Sequence, residues 1–203
     1  MNLDVDLKDD PIAAMRRWYR EAEEALHPDE AHAIALATVD GGGWPAVRIV
    51  LARSIDDAGN LVFYTNYESR KGHELDATKR AAAVFHWRHF GRQCRVEGPV
   101  DRTSAEQSDA YWASRPRASR ISALASPQSQ PIDSFEQLED KAVELEKAHP
   151  GDDVPRPRWW GGYILTPLAI EFWAQGQSRL HERLRFERPE PQSDTWARRR
   201  LGP

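Results

Sequence analysis

The sequence predicts a mostly β fold, an antiparallel β-barrel with α-helical insertions. Short runs rich in β-branched and aromatic residues recur between turns that carry glycine, asparagine and aspartate. The helical stretches do not alternate regularly with these runs, which argues against a parallel βαβ sheet. A chain of 203 residues falls within the range of one domain. We therefore expect a flexible arm at residues 1–9 and a single domain over residues 10–203.

The strands follow from the turns that bound them. Two runs flank the glycine turn at residues 41–43 and predict a β-hairpin. Another run follows the turn that ends at Asn60. The predicted strands cover residues 33–40, 44–53, 61–66, 81–88, 92–101, 163–173, 184–188 and 195–201.

The helices follow from their N-terminal caps. Asp10 stands before Pro11, whose missing N–H costs nothing at the first helical position. Ser104 and Ser134 each stand three residues before a glutamine, which is the form of a capping box. The predicted helices cover residues 11–26, 69–78, 104–114 and 134–149.

Composition and motifs exclude several classes of function. The formal net charge of -4 disfavours a general nucleic-acid binder. No apolar run approaches the roughly 18 residues of a membrane helix, so no membrane partner is expected. The single cysteine, Cys94, is expected to be buried, and a chain without disulfides or a secretion signal is expected in the cytoplasm. No Rossmann fingerprint or P-loop occurs, and the scattered histidines predict no metal site.

Several segments instead combine arginine, lysine, hydroxyl and glutamine side chains, a mixture that suits phosphate groups. Arginine offers a planar fork of donors and lysine a point charge, and hydroxyl groups complete the cage. Each cluster alone is more typical of a solvated surface, but several in an acidic protein indicate more than one phosphate-bearing ligand. The clusters comprise Arg48 and Arg53, residues 64–71, residues 114–119 and residues 126–129.

A further cluster follows the apolar strand that ends at Trp173. Arg179, His181 and Arg183 lie just beyond it. Two arginines and a histidine beside a tryptophan can receive a flat, anionic heterocycle. The alternative is a basic strand edge. Because Arg179 and His181 lie two residues apart, an extended segment would direct both to the same side.

In order and spacing, these motifs resemble the pyridoxamine 5'-phosphate oxidase family over about residues 10–203. The resemblance rests on residues 48–51, 63–72, 114–117, 125–129, 160–163, 171–173 and 179–181. It implies an FMN-binding split β-barrel that is a homodimer, with each flavin held between two subunits. It also implies oxidation of a phosphorylated B6 vitamer, pyridoxamine or pyridoxine 5'-phosphate, to pyridoxal 5'-phosphate, with O2 as acceptor and H2O2 as product.

The resemblance implies a role for each residue at a motif position. Arg179 and His181 would flank the substrate ring as catalytic residues. The substrate would also meet Arg53, and its phosphate would meet Tyr111, Arg115 and Ser119. The implied FMN contacts are Arg48, Ile49, Val50, Leu51, Tyr64, Thr65, Arg70, Lys71, Gln93, Gln128, Ser129, Trp173 and Arg183.

The chain departs from the family pattern mainly on the substrate side. Arg53 replaces the usual lysine, and the other departures are Arg120, Ser122, Leu124 and Ala174. They leave two alternatives open. One is a related FMN-dependent oxidase with a changed substrate, such as an enzyme of the phenazine-biosynthesis type. The other is a non-enzymatic protein that binds FMN or pyridoxal phosphate.

Overall fold

The computed structural model describes residue 3 and residues 10–203. Apart from residue 3, the predicted N-terminal arm lies outside the described residues. Leu3 is buried, and its backbone N–H donates to Oε2 of Glu182 at 2.8 Å. The chain is therefore held against the rest of the fold at this one position.

Nine strands form one connected sheet within the described residues. They are β1 (Ala33–Val39), β2 (Pro45–Ile55), β3 (Leu61–Asn66), β4 (Arg80–Trp87), β5 (Arg92–Arg102), β6 (Trp160–Leu165), β7 (Ala169–Ala174), β8 (Glu182–Glu187) and β9 (Ala197–Leu201). The α-helices are α1 (Pro11–Ala25), α2 (Pro28–Ala31), α3 (Arg70–Thr78), α4 (Ala105–Ser114), α5 (Arg117–Ala125) and α6 (Phe135–Ala148).

Six of the strands close into an antiparallel barrel. β1 pairs with β2 and β4, β3 pairs with β2 and β6, and β5 pairs with β4 and β6, so the ring is complete. β7, β8 and β9 extend the sheet outward from β5. The predicted fold class, an antiparallel β-barrel with helical insertions, is confirmed.

The barrel splits where β6 gives way to β7. Both strands pair with the same edge of β5, β6 along residues 100–102 and β7 along residues 92–97. Pro167 separates them because it has no N–H to donate to the ladder. Opposite lies Gly98, where a Cβ would stand 1.9 Å from the carbonyl oxygen of the residue before Pro167. The single strand predicted over residues 163–173 is therefore wrong at its centre.

The caps explain which helices the sequence could predict. Oδ1 of Asp10 accepts a hydrogen bond from the N–H of Ala13 at 2.9 Å, as expected of an N-cap. Ser104 and Gln107 form both bonds of the capping box. Helix α5 was not predicted because its N-cap, Pro116, makes no side-chain cap. The second predicted capping box is only half formed: Oγ of Ser134 accepts from the N–H of Gln137 at 3.2 Å, without the return bond to the Gln137 side chain. The N-caps themselves are therefore the reliable part of the helix prediction.

The core has two parts, and the site lies beside the smaller one. The larger cluster fills the barrel and packs against α1, and it includes Cys94. Burial raises the pKa of the Cys94 thiol, as expected of a core residue and not of a nucleophile. The smaller cluster joins α4, α5 and β6 through Trp112, Ile121 and Trp160. It fixes these helices over the outer face of β3.

The described part of the chain contains neither a membrane-spanning helix nor a metal-ligand cluster. None of its helices is both long and apolar enough to cross a membrane. Nor do three or more histidine, cysteine, aspartate or glutamate side chains come together there as a metal site.

Candidate active site

A cavity of about 550 Å³ lies between strands β2 and β3 and helices α4 and α5. It brings together residues from four of the clusters that the sequence singled out. The predicted site residues that line it are Ile49, Val50, Leu51, Arg53, Tyr64, Thr65, Lys71, Tyr111, Arg115, Ser119 and Gln128. Trp160, Ser122 and Ser126 also line the cavity and were not predicted as site residues.

One corner of the cavity is built around Lys71. Its Nζ donates hydrogen bonds to Oε1 of Gln128 at 2.7 Å, to Oγ of Ser69 at 3.0 Å and to Oγ1 of Thr65 at 3.1 Å. Burial, with a smaller contribution from the nearby Arg48, lowers the pKa of Lys71 to about 8 against the opposing effect of Glu74. All three acceptors are neutral, so the ammonium has no direct counter-ion and suits an anionic ligand.

Two other predicted cofactor arginines, Arg48 and Arg70, lie beside this corner. Arg70 and Ser129 line a second cavity of about 490 Å³ together with Glu74. Arg48 donates from Nη2 to Oε2 of Glu74 at 3.0 Å and from Nη1 to the carbonyl oxygen of Leu36 at 3.3 Å. Ser129 has a φ of 70°, a left-handed conformation that a non-glycine residue keeps only where its surroundings hold it.

A second corner of the first cavity is aromatic and basic. The rings of Tyr64 and Tyr111 stack with centroids 3.8 Å apart. The Arg115 guanidinium lies 4.7 Å from the centroid of Trp160 and 5.2 Å from that of Trp112. Burial lowers the pKa of Arg115. Its Nη1 is buried and has no hydrogen-bond partner among the described residues. A buried charged donor without a partner suits an anionic ligand.

A second group of predicted residues lies around Trp173, and none of it lines the first cavity. Gln93, Trp173 and Arg183 stand directly opposite one another on β5, β7 and β8. The ring of His181 lies 4.6 Å from that of Trp173, and its Nδ1 accepts from the N–H of Gly176 at 3.2 Å. Residues opposite each other in antiparallel strands share a face, so this group forms one surface.

The expected geometry of Arg179 and His181 is wrong. Arg179 ends a short 3-10 turn, Gln177–Arg179, and is not part of an extended segment. Ser178 and Arg179 have φ values of 51° and 65°. The alternation that would direct Arg179 and His181 to one side does not apply to left-handed residues. The role predicted for Arg179 therefore depends on its motif position alone.

The departures from the family pattern fall into two kinds. Arg120 is buried and binds Asp152, with Nη2 2.6 Å from Oδ1 and Nη1 3.0 Å from the carbonyl oxygen. It ties α5 to the loop before β6 and does not line the cavity. Arg53 and Ser122 do line it. Arg53 is exposed and sits where the register between β2 and β3 shifts, a bulge of the kind that redirects a side chain.

Comparisons with known proteins show the family to which this chain belongs. The family model described as pyridoxamine 5'-phosphate oxidase matches residues 20–149, and a pyridoxine 5'-phosphate oxidase C-terminal dimerisation region matches residues 160–203. A pyridoxine/pyridoxamine 5'-phosphate oxidase of Brucella canis is 45% identical over 194 residues, which are 96% of this chain and 94% of the relative. A protein of the same name from Brucella suis matches to the same extent.

Two crystal structures are similar over nearly their whole length. PhzG from Burkholderia lata, in complex with tetrahydrophenazine-1-carboxylic acid, has a TM-score of 0.89 and 33% identity, covering 100% of this chain and 97% of that one. A pyridoxamine 5'-phosphate oxidase-related, FMN binding protein from Nostoc punctiforme has a TM-score of 0.72 and 18% identity, covering 94% and 96%, and shows the same fold. This chain belongs to the pyridoxamine 5'-phosphate oxidase family, a family of FMN-binding oxidoreductases.

Proposed function

We propose that this protein is an FMN-dependent oxidase that converts pyridoxamine 5'-phosphate or pyridoxine 5'-phosphate to pyridoxal 5'-phosphate, with O2 as acceptor and H2O2 as product. The observation that carries the proposal is a single cavity with two cationic corners, one at Lys71 and one at Arg115. A cofactor and a substrate that each carry a phosphate need two such receptors. The names of the Brucella relatives support this choice of substrate.

The Lys71 corner suits the FMN phosphate. Lys71 and Arg70 would supply positive charge, and Thr65, Gln128 and Ser129 would supply hydroxyl and amide groups. The start of α3 adds backbone N–H groups beside the same corner. When bound, FMN supplies the two-electron oxidation and the reaction with O2.

The Arg115 corner suits the substrate phosphate. Nη1 of Arg115 has a free donor, and Tyr111 and Ser119 line the same wall. The stack of Tyr64 on Tyr111 and the rings under Arg115 hold these groups in place, so little ordering is left to occur on binding. In this proposal the protein holds the substrate by its phosphate, and Arg179 and His181 orient the ring.

We also propose a homodimer in which each site is completed by residues of the second subunit. These are Gln93, Trp173, His181 and Arg183, here called the Trp173 group. In one chain that group lies outside the cavity. The apolar side chains of Val47 and Ile49 on β2, and of Trp44 just before it, are exposed. The match to a dimerisation region over residues 160–203 supports the same assembly. We place the protein in the cytoplasm because its single cysteine is buried and offers no disulfide.

A second candidate is an oxidase of the phenazine type. It is favoured by the likeness to PhzG, whose bound molecule carries a carboxylate and no phosphate. The two candidates differ in what the Arg115 corner binds. Oxygen uptake with pyridoxamine 5'-phosphate, compared with a reduced phenazine carboxylate, separates them. Turnover of the phenazine compound alone would favour the second candidate. If the protein binds FMN but takes up no oxygen with either compound, it is a binding protein and not an oxidase.

A further inference from the structure

The carboxylate of Glu74 lies between two arginines that come from different elements. Its Oε1 accepts a hydrogen bond from Nε of Arg70 at 2.7 Å, one turn earlier on α3. Its Oε2 accepts from Nη2 of Arg48, on β2, at 3.0 Å. Thr38, on β1, donates its hydroxyl to the same Oε2 and accepts from Nη1 of Arg48. One carboxylate therefore joins α3, β1 and β2.

The side chain of Glu74 is buried, whereas that of one of its partners, Arg70, is largely exposed. The side chain of Glu74 is 4% exposed, that of Arg48 is 21% exposed and that of Arg70 is 59% exposed. Burial alone would raise the pKa of Glu74, but the hydrogen bonds from Thr38, Arg70 and Arg48 together bring it below its ordinary value. The carboxylate is therefore ionised at neutral pH and has a partner on each oxygen.

The charges around Glu74 match a phosphate monoester. Arg48, Arg70 and Lys71 are three cations beside the Glu74 carboxylate, so these four side chains carry a formal charge of +2; Asp40 lines the wall of the second cavity but has no hydrogen bond to them. A phosphate monoester carries about -1.5 to -2 at pH 7. Without the carboxylate the two guanidinium groups would repel each other, and the exposed Arg70 would sample many rotamers.

We propose that Glu74 is a positioning residue for the cofactor phosphate, which holds Arg48 and Arg70 in the orientation that receives it. The inference rests on the proposed function, because it takes FMN as the ligand. Glu74 touches the two arginines and is not assigned any contact with FMN itself.

The proposal and simple electrostatics predict opposite effects on FMN affinity when the charge of Glu74 is removed. Removing a negative charge near an anion site should tighten phosphate binding if charge alone decides. If orientation decides, the substitution should weaken binding, because a glutamine amide has one acceptor oxygen and one NH2 donor and can accept from only one of the two arginines. Glu74→Gln separates the two cases because it keeps the shape of the side chain and removes the charge.

The test uses the full-length protein stripped of flavin and titrated with FMN and with riboflavin, which has the same ring and no phosphate. Flavin fluorescence reports binding. For Glu74→Gln we expect the Kd for FMN to rise about tenfold or more, as for a lost charge-assisted hydrogen bond. The Kd for riboflavin and the kcat of the FMN-saturated variant should stay near those of the parent.

Asp76→Asn is the matched control. Asp76 lies on the same helix and also binds an arginine, with Nε of Arg102 at 3.3 Å from Oδ1, but it lines neither cavity of the site. In the Asp76→Asn variant, the ratio of FMN affinity to riboflavin affinity should equal that of the parent. Should Glu74→Gln fail to fold, Thr38→Val removes the hydroxyl that joins Glu74 to Arg48 and should shift the ratio in the same direction, by less.

Three results would overturn the inference or its basis. FMN binding by Glu74→Gln that is as tight as in the parent, or tighter, refutes a positioning role. An equal loss of FMN and riboflavin affinity shows a general effect on the fold and refutes it as well. A parent protein that does not prefer FMN to riboflavin overturns the proposed cofactor phosphate site itself, and the inference falls with it.

Discussion

The ammonium nitrogen of Lys71 lies 2.7 Å from Oε1 of Gln128, although the two residues are 57 apart in the sequence. The contact joins the first turn of α3 to the loop that follows α5. It closes one corner of the cavity around a buried cation whose partners are all neutral.

Binding of FMN should weaken as the pH rises above about 8. Burial lowers the pKa of Lys71 to about 8 in the protein without ligand, and an anionic phosphate prefers the protonated form. The phosphate itself changes little above pH 7, because its second pKa is about 6. Titrations of FMN at pH 7, 8 and 9 should therefore give a rising Kd.

Lys71→Met is the control for that dependence. It keeps the length of the side chain and removes the charge, so it should raise the Kd for FMN at pH 7 by roughly ten- to a hundredfold. The dependence on pH between 7 and 9 should disappear in the variant. A variant that keeps the parent's pH dependence would show that another group titrates.

Arg115 should act on the phosphate of the substrate. We expect Arg115→Met to lower kcat/KM for pyridoxamine 5'-phosphate by about 1.5–3 kcal/mol, the value of a charged hydrogen bond, while FMN affinity stays the same. With unphosphorylated pyridoxamine as substrate, variant and parent should be equal. Arg158→Ala removes an exposed arginine outside the cavity and should change neither rate. An equal loss with both substrates would contradict the phosphate assignment.

Replacement of Arg179 should affect catalysis and not FMN binding, and replacement of Arg70 should affect FMN binding first. Arg179→Ala should lower kcat/KM by about 1.5–3 kcal/mol and leave the FMN Kd nearly unchanged. Arg70→Ala should raise the FMN Kd first. Steady-state kinetics and an FMN titration of each variant provide the comparison. If Arg179→Ala oxidises pyridoxamine 5'-phosphate as well as the parent does, Arg179 is a surface charge.

Assembly should depend on the apolar face of β2. Light scattering of the parent should give about twice the chain mass of 23.2 kDa. Val47→Asp places a charge at a side chain that is 69% exposed in the single chain, and we expect monomers that lose FMN. Phe135→Asp, on α6, changes a residue that is 70% exposed and should leave the dimer intact. A monomeric parent that retains FMN would contradict the shared site.

Local chemistry was readable from the sequence where one or a few residues decide the structure. The cap at Asp10 and the capping box at Ser104 are examples, since each needs only a side chain and a backbone N–H three positions away. Glu74 could have been found in the same way, because it stands four residues after Arg70 on a predicted helix.

Tertiary relationships were not readable in this way. The interruption between β6 and β7 depends on Gly98 meeting a distant backbone. Ser178 and Arg179 both have a left-handed backbone conformation. Neither is a glycine, the residue type that would have indicated this conformation in the sequence. The order of the motifs along the chain gives no distances between the motifs. It therefore could not predict that the flavin contacts divide between the cavity and the Trp173 group.

The most direct test of the central claim is oxygen consumption by the FMN-loaded protein with pyridoxamine 5'-phosphate. The account predicts that one O2 is consumed and one H2O2 released for each pyridoxal 5'-phosphate formed, and that the protein stripped of FMN shows no turnover. FMN bound at micromolar concentration with no oxygen uptake from this substrate or from pyridoxine 5'-phosphate would contradict it.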